Sequence, residues 1–214
     1  MGIYRFIHPT KTGGTAVEQY FVRYYPDYIE GTGHVARTGE YDKPIIIFRE
    51  PMDRFKSMYR YWLKGGFNPK DKENKPWPSA EFTRRNPNWD NLTRNVDINK
   101  YLDYILKNNE NMLIRGYTTK AHTRLQSYWY TGDRSNIIVI KYQENLETTI
   151  EKLINYLNIP TNKQAHLPKI NVTKPCTVNE LTNTSYQMYK KYFANDYTLQ
   201  DKINNEPHLF RKVI

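Results

Sequence analysis

Residues 3–21, IYRFIHPTKTGGTAVEQYF, read as an apolar strand, a tight glycine turn and a helix. The turn is His8-Pro9-Thr10-Lys11-Thr12-Gly13-Gly14-Thr15. Two adjacent glycines let backbone N–H groups approach an anion with no side chain in the way. The helix that follows aims the positive end of its dipole at the same spot. Lys11 adds a full charge, and Thr12 and Thr15 add hydroxyl donors. Together these residues have the chemistry of a phosphate cradle. Taken alone, the stretch fits an ordinary strand–turn–helix corner equally well, because glycine pairs are common in turns.

A second stretch, residues 44–63, PIIIFREPMDRFKSMYRYWL, shifts that balance. An apolar strand, Ile45–Phe48, ends at Arg49, and Pro51 opens a helix at a position proline favours. Arg49 and Ser57, the latter on the second helical turn, are suited to a second phosphate, the guanidinium giving a forked contact. Between the two stretches, Val17, Tyr20, Phe21 and Tyr24 recur at helical spacing over about residues 14–25, and Pro26 stops that helix. Residues 27–30 suit a short second strand, followed by the loop Gly31-Thr32-Gly33-His34. Strand–helix–strand–helix order with unbroken apolar strands predicts an α/β fold with a parallel sheet. Ligands of such sheets sit at the carboxyl ends of the strands. Lys11, His34 and Arg49 all fall at or just after such ends.

The pair H-x-x-K-T-G-G-T, then R-x-P-x-x-R-x-x-S-x-Y after an apolar strand, resembles the sulfotransferases that use 3′-phosphoadenosine 5′-phosphosulfate (PAPS), most closely their carbohydrate-sulfating branch. The resemblance implies a P-loop-like three-layer α/β fold, a central and mostly parallel sheet flanked by helices, in one sulfotransferase domain over residues 1–214. It implies that Lys11, Thr12, Gly13, Gly14 and Thr15 hold the 5′-phosphosulfate, and that Arg49 and Ser57 hold the 3′-phosphate. One departure stands out: the family usually has proline immediately before the lysine, whereas here Pro9 lies one place earlier and Thr10 fills the gap. Further along, Glu144-Asn145-Leu146 after a strand, an L-P-x-x-N loop within residues 166–175, and Lys191, Phe193, Asp196 and Tyr197 near the end follow the family's order more loosely.

Sulfuryl transfer resembles phosphoryl transfer in resting on positioning and charge stabilisation. The leaving phosphate gains negative charge, and Lys11 is the natural group to meet it. An acceptor hydroxyl needs a base. His34, in Gly-His-Val, is the first candidate, in a place like that of the catalytic histidine in part of the family. His8, Glu18 and Glu30 are the alternatives, while His122, His166 and His208 read as surface or packing residues. Arg54 matches the motif but also suits pairing with Glu50. No His/Cys/Asp cluster has metal-ligand spacing, and no metal is expected.

The 214 residues carry 32 Lys and Arg against 22 Asp and Glu, a net charge of +10, with 38% hydrophobic residues. The charge favours an anionic partner without choosing among nucleotide, sulfated glycan, nucleic acid and acidic surface. A P-loop phosphotransferase is the nearest enzymatic rival, but its lysine follows the glycines, whereas Lys11 precedes them. A basic polyanion-binding protein is the non-enzymatic rival, and the scattered basic residues lack any nucleic-acid motif. The single cysteine, Cys176, allows no internal disulfide. No apolar run approaches the roughly 20 residues that span a bilayer, and no signal-peptide pattern opens the chain, so a cytoplasmic protein is expected.

Residues 65–95, rich in proline, glycine, asparagine and charge, read as a long loop or insertion on the substrate side, with Trp77 and Trp89 suited to stacking on a sugar or aryl acceptor. Ile98, Tyr101, Leu102, Ile105 and Leu106 form a helical stripe with Asp97 as its cap. Residues 120–130 are expected to be a helix carrying His122 and Gln126 one turn apart. Ile137–Tyr142 reads as a strand, Leu146 to Leu157 as a helix, and one final helix carries Leu181, Met188, Tyr189, Tyr192 and Phe193. The acceptor, a small molecule or a glycan, is not written in any motif.

Overall fold

Strand Pro44–Phe48 is buried at every position, as a strand covered on both faces must be. It is the middle of a five-stranded sheet in the computed structural model, which describes residues 3–34, 36–63, 97–108, 124–142, 145–168 and 181–214. The strands are β1 (Tyr4–Ile7), β2 (Ile29–Gly31), β3 (Pro44–Phe48), β4 (Ile138–Lys141) and β5 (Lys212–Val213). Their order is β2-β1-β3-β4-β5, and every pairing is parallel. The chain leaves β1 toward β2 and returns across it to β3. The two neighbours at this reversal therefore send their outgoing loops in opposite directions, which opens a crevice at their carboxyl ends.

The chain divides into two compact units. The first comprises residues 1–51, 124–170 and 193–214, and the second comprises residues 52–123 and 171–192. The whole sheet lies in the first unit. Alternate side chains of β3 part to opposite faces. Ile45 and Ile47 join Phe6, Ile138 and Ile140 against Val17, Tyr20 and Phe21 of helix α1 (Gly14–Tyr24). Ile150, Leu153 and Ile154 of another helix pack into the same cluster. Ile46 and Phe48 join Ile7 and Val139 on the other face, against Trp129, Leu199, Ile203 and Phe210. The result is helix–sheet–helix layering, the expected α/β architecture. Burying each of these large apolar side chains stabilises the fold by about 1.5–3 kcal/mol.

In the second unit, helix α2 (Pro51–Leu63, in this unit from Met52 on) buries Phe55 against the rings of Tyr101 and Tyr189, at centroid distances of 5.8 and 5.1 Å. Helix α3 (Ile98–Asn108) starts as expected, the Asp97 carboxylate accepting from the N–H groups of Asn99 and Lys100 at 2.9 Å. Helix α4 (Leu146–Tyr156), back in the first unit, is capped in the same way by Asn145.

Three features differ from the sequence reading. Residues 124–130 hold a short 3₁₀ turn, Gln126–Trp129, in place of an α-helix; its first two N–H groups are claimed by Asp196 from elsewhere in the chain. The final helix is two helices, α5 (Asn183–Tyr192) and α6 (Ala194–Asn205), broken at Phe193. The third is β5, which is only two residues long and carries no apolar run. It is held by its pairing to β4, Ile138 opposite Lys212 and Val139 opposite Val213. Trp77, Trp89, His122, Cys176, the whole of the expected 65–95 loop and residues 169–175 of the expected 166–175 loop lie outside the described residues.

Candidate functional site

The turn after β1 is built under backbone constraint. Lys11 has φ +64°, a left-handed conformation that costs a non-glycine residue roughly 1–2 kcal/mol. Gly13, the residue before α1, has φ +78°. A Cβ at Gly13 would come within 2.8 Å of the Tyr142 ring, and one at Gly14 within 2.1 Å of the His8 side chain. Each glycine therefore has a packing reason in addition to the open backbone anticipated from the sequence. Thr12 is fully buried and its hydroxyl donates to the Pro9 carbonyl at 2.7 Å, so the hydroxyl shapes the turn. Thr15 lies in the first turn of α1, which carries no acidic residue and whose N-cap, Gly13, has no side chain to cap it. The start of α1 thus keeps the electropositive character that suits an anion.

Arg49 reaches this turn from the end of β3. Its Nη1 donates to the Lys11 carbonyl at 3.1 Å, and its guanidinium lies over the Tyr142 ring with Cζ 4.3 Å from the centroid. The Arg49 backbone is held on both sides by one side chain. Gln126 Oε1 accepts from the Arg49 N–H at 3.1 Å, and Gln126 Nε2 donates to the Arg49 carbonyl at 2.7 Å. The first unit thus brings together Lys11 and Arg49, the residues at the ends of the two strands that flank the sheet's crevice. Ser57 and Arg54 are buried residues of α2, in the second unit.

His34 follows β2 and belongs to the same edge. Its Nδ1 lies 2.9 Å from the His8 carbonyl oxygen. A carbonyl only accepts, so Nδ1 carries a proton and Nε2 is the nitrogen able to take another. Its own carbonyl accepts from Trp129 Nε1 at 3.0 Å, and its ring meets His8 edge to face at 4.3 Å. Glu18, on α1, fastens this arrangement. One carboxylate oxygen accepts from the Gly33 N–H at 2.8 Å and the other lies 3.1 Å from His8 Nε2. The hydrogen bond from His8 is the main cause that holds the Glu18 carboxyl below its ordinary pKa, against the opposing effect of burial. His8 itself is buried, and its Nδ1 has no hydrogen-bond partner among the described residues. Glu30 points to other work, pairing with Arg5 across β1 and β2.

Sequence reasoning named Lys11, Arg49 and His34 but missed the parts that hold them. Tyr142 read only as the end of a strand, and Gln126 as one position on a helix. Glu18 reads in the sequence as an alternative base, and nothing there shows that it ties the His34 loop to α1. Among the described residues no group of three or more His, Cys, Asp or Glu side chains is arranged to hold a metal ion, and no helix is long and apolar enough to cross a membrane.

Among known protein families, the one described as "Sulfotransferase domain" matches residues 41–212. The matched span contains Arg49 and Ser57 and begins after the Lys11 turn and His34. No curated protein and no solved structure matches the chain.

Proposed function

The chain belongs to the sulfotransferase family, and from that premise we propose that it uses PAPS as donor and sulfates an acceptor hydroxyl on a carbohydrate. The observation that carries the donor assignment is the Arg49–Lys11 contact at the crevice between β1 and β3. A nucleotide with phosphates at both its 3′ and 5′ positions needs two cationic holds within one molecule's reach. PAPS would supply an activated sulfuryl group on a phosphate leaving group.

Lys11, with the backbone of Thr12, Gly13, Gly14 and Thr15, holds the 5′ side. Its ammonium offsets the negative charge that gathers on the phosphate as transfer proceeds. Arg49 takes the 3′-phosphate. Its planar guanidinium matches a phosphate with a forked, charge-assisted contact. His34 takes the acceptor proton at Nε2, its tautomer set by the His8 carbonyl. Glu18 suits a base less well, because its lowered pKa weakens its pull on a proton. Its role is to keep His8 and the Gly33–His34 loop in register. The carbohydrate acceptor rests on the sequence likeness to that branch of the family.

The test is transfer of label from sulfur-labelled PAPS to a panel of glycans, phenols, lipids and peptides, in chelator. Label on a glycan, lost in Lys11→Ala, supports the reading. Label on no member of the panel, with the protein folded, overturns it.

A further inference from the structure

Arg49 is held by a residue that is itself held. Gln126 is fully buried, and both ends of its amide close on the Arg49 peptide group, as a neighbouring strand's backbone would. Gln126 in turn begins the 3₁₀ turn Gln126–Trp129, whose preceding residue, Leu125, gives no side-chain cap. The cap comes instead from Asp196 on α6. Its carboxylate, fully buried, accepts from the N–H of Gln126 at 2.9 Å and from that of Ser127 at 2.8 Å. Asp196, Gln126 and Arg49 all belong to the first unit.

We infer that Gln126 and Asp196 are positioning residues for the 3′-phosphate contact: Asp196 fixes the start of the 3₁₀ turn, and Gln126 fixes the backbone from which the Arg49 guanidinium projects. The inference rests on the proposed use of a 3′-phosphorylated nucleotide. Its physical basis is that β3 ends at Phe48, so Arg49 lies beyond the strand, where Gln126 bonds both its N–H and its carbonyl. A peptide group even partly withdrawn from water loses solvation unless it is hydrogen-bonded, and both bonds here are part-buried. A side-chain amide with one donor and one acceptor satisfies both sides at once and so selects one backbone orientation. The guanidinium is then aimed before any ligand arrives, which lowers the ordering cost of binding.

The experiment compares the affinity of adenosine 3′,5′-bisphosphate with that of adenosine 5′-monophosphate by titration calorimetry. The ratio isolates the 3′-phosphate. Wild type is expected to favour the bisphosphate strongly. Gln126→Met and Asp196→Asn are each expected to reduce that preference about tenfold, the worth of one misaligned charged hydrogen bond, while leaving monophosphate affinity nearly unchanged. The aspartate variant discriminates sharply, because removing a negative charge by itself would tighten binding of an anion. A full preference in either folded variant, or a tightened one in Asp196→Asn, overturns the inference and spares the donor assignment. No preference in wild type removes the donor assignment and the inference with it. If both variants fail to fold, nuclear magnetic resonance of the wild-type protein decides. The Gln126 side-chain amide signals should shift with bisphosphate and not with monophosphate, and equal responses to the two would overturn the inference.

Discussion

Arg49 and Lys11, 38 residues apart in sequence, meet where the Arg49 Nη1 donates to the Lys11 carbonyl at 3.1 Å. One bond thereby joins the ends of the two central strands that flank the point where the sheet's winding reverses. It also steadies the carbonyl of a residue whose φ of +64° is unfavourable for lysine. A strained residue held by its surroundings, in a crevice suited to ligands, points to a function for that residue.

The strain makes a direct prediction about stability. Lys11→Ala and Lys11→Gly both delete the ammonium, and both should abolish sulfuryl transfer. Glycine accepts the left-handed conformation, whereas alanine does not. The glycine variant should therefore be the more stable of the two by about 1 kcal/mol in a urea denaturation comparison. Equal stabilities would show that the Lys11 backbone is not under strain.

Two glycines should respond very differently to alanine. At Gly14 the new Cβ would lie 2.1 Å from the His8 Cβ, with His8 buried and fixed. Gly14→Ala should cost about 3 kcal/mol or more. At Gly33 nothing among the described residues lies within 4 Å of an added Cβ, and its φ of +67° opposes the change. Gly33→Ala should cost about 1 kcal/mol. Thermal unfolding of the two variants gives the ordering.

His34→Ala should lower kcat by roughly 10²- to 10⁴-fold and leave binding of the bisphosphate nucleotide nearly unchanged. Trp129→Phe keeps an aromatic ring, though a smaller one, and loses the Nε1 donor to the His34 carbonyl. Its effect should be smaller, in kcat and not in nucleotide affinity. Steady-state kinetics beside a binding titration separate the two effects.

Glu18 sets an acid limit. Its folded-state pKa lies below the ordinary carboxylate value, so the unfolded chain takes up the proton first as pH falls. The stability it contributes is complete above the unfolded pKa, near 4.3, and is lost as pH drops through the lowered folded value. Glu18→Gln should remove this contribution at neutral pH and flatten the stability profile below about pH 4.3. Denaturation of both proteins across that range checks the sign. Because Glu18 is partly exposed, the effect should be modest.

The sequence announces the strands and the cations more clearly than the parts that hold them. Ile45–Phe48 declared itself because a strand buried on both faces has to be apolar throughout. Arg49 stood out because it follows such a strand, and Lys11 because it sits in a glycine turn that opens a helix. What the supports do was hidden for a common reason, even at Asp196, which the family's order marks: they act across long separations. Gln126 serves the Arg49 backbone from 77 residues away, and Asp196 serves Gln126 from 70. A buried glutamine or aspartate has no periodicity, and its partner is a peptide group, which leaves no mark on residue identity. The break at Phe193 and the short β5 escaped for a related reason, since neither carries a pattern longer than a few residues. The glycines were recognised for their backbone freedom, but their fit against His8 and Tyr142 depends on packing that only the fold brings about.

The most direct measurement is a crystal structure with adenosine 3′,5′-bisphosphate bound. The 5′-phosphate is expected within hydrogen-bonding reach of the Lys11 side chain and the 3′-phosphate on the Arg49 guanidinium. A nucleotide seated away from the crevice between β1 and β3, or bound with neither phosphate touching those two residues, would contradict it.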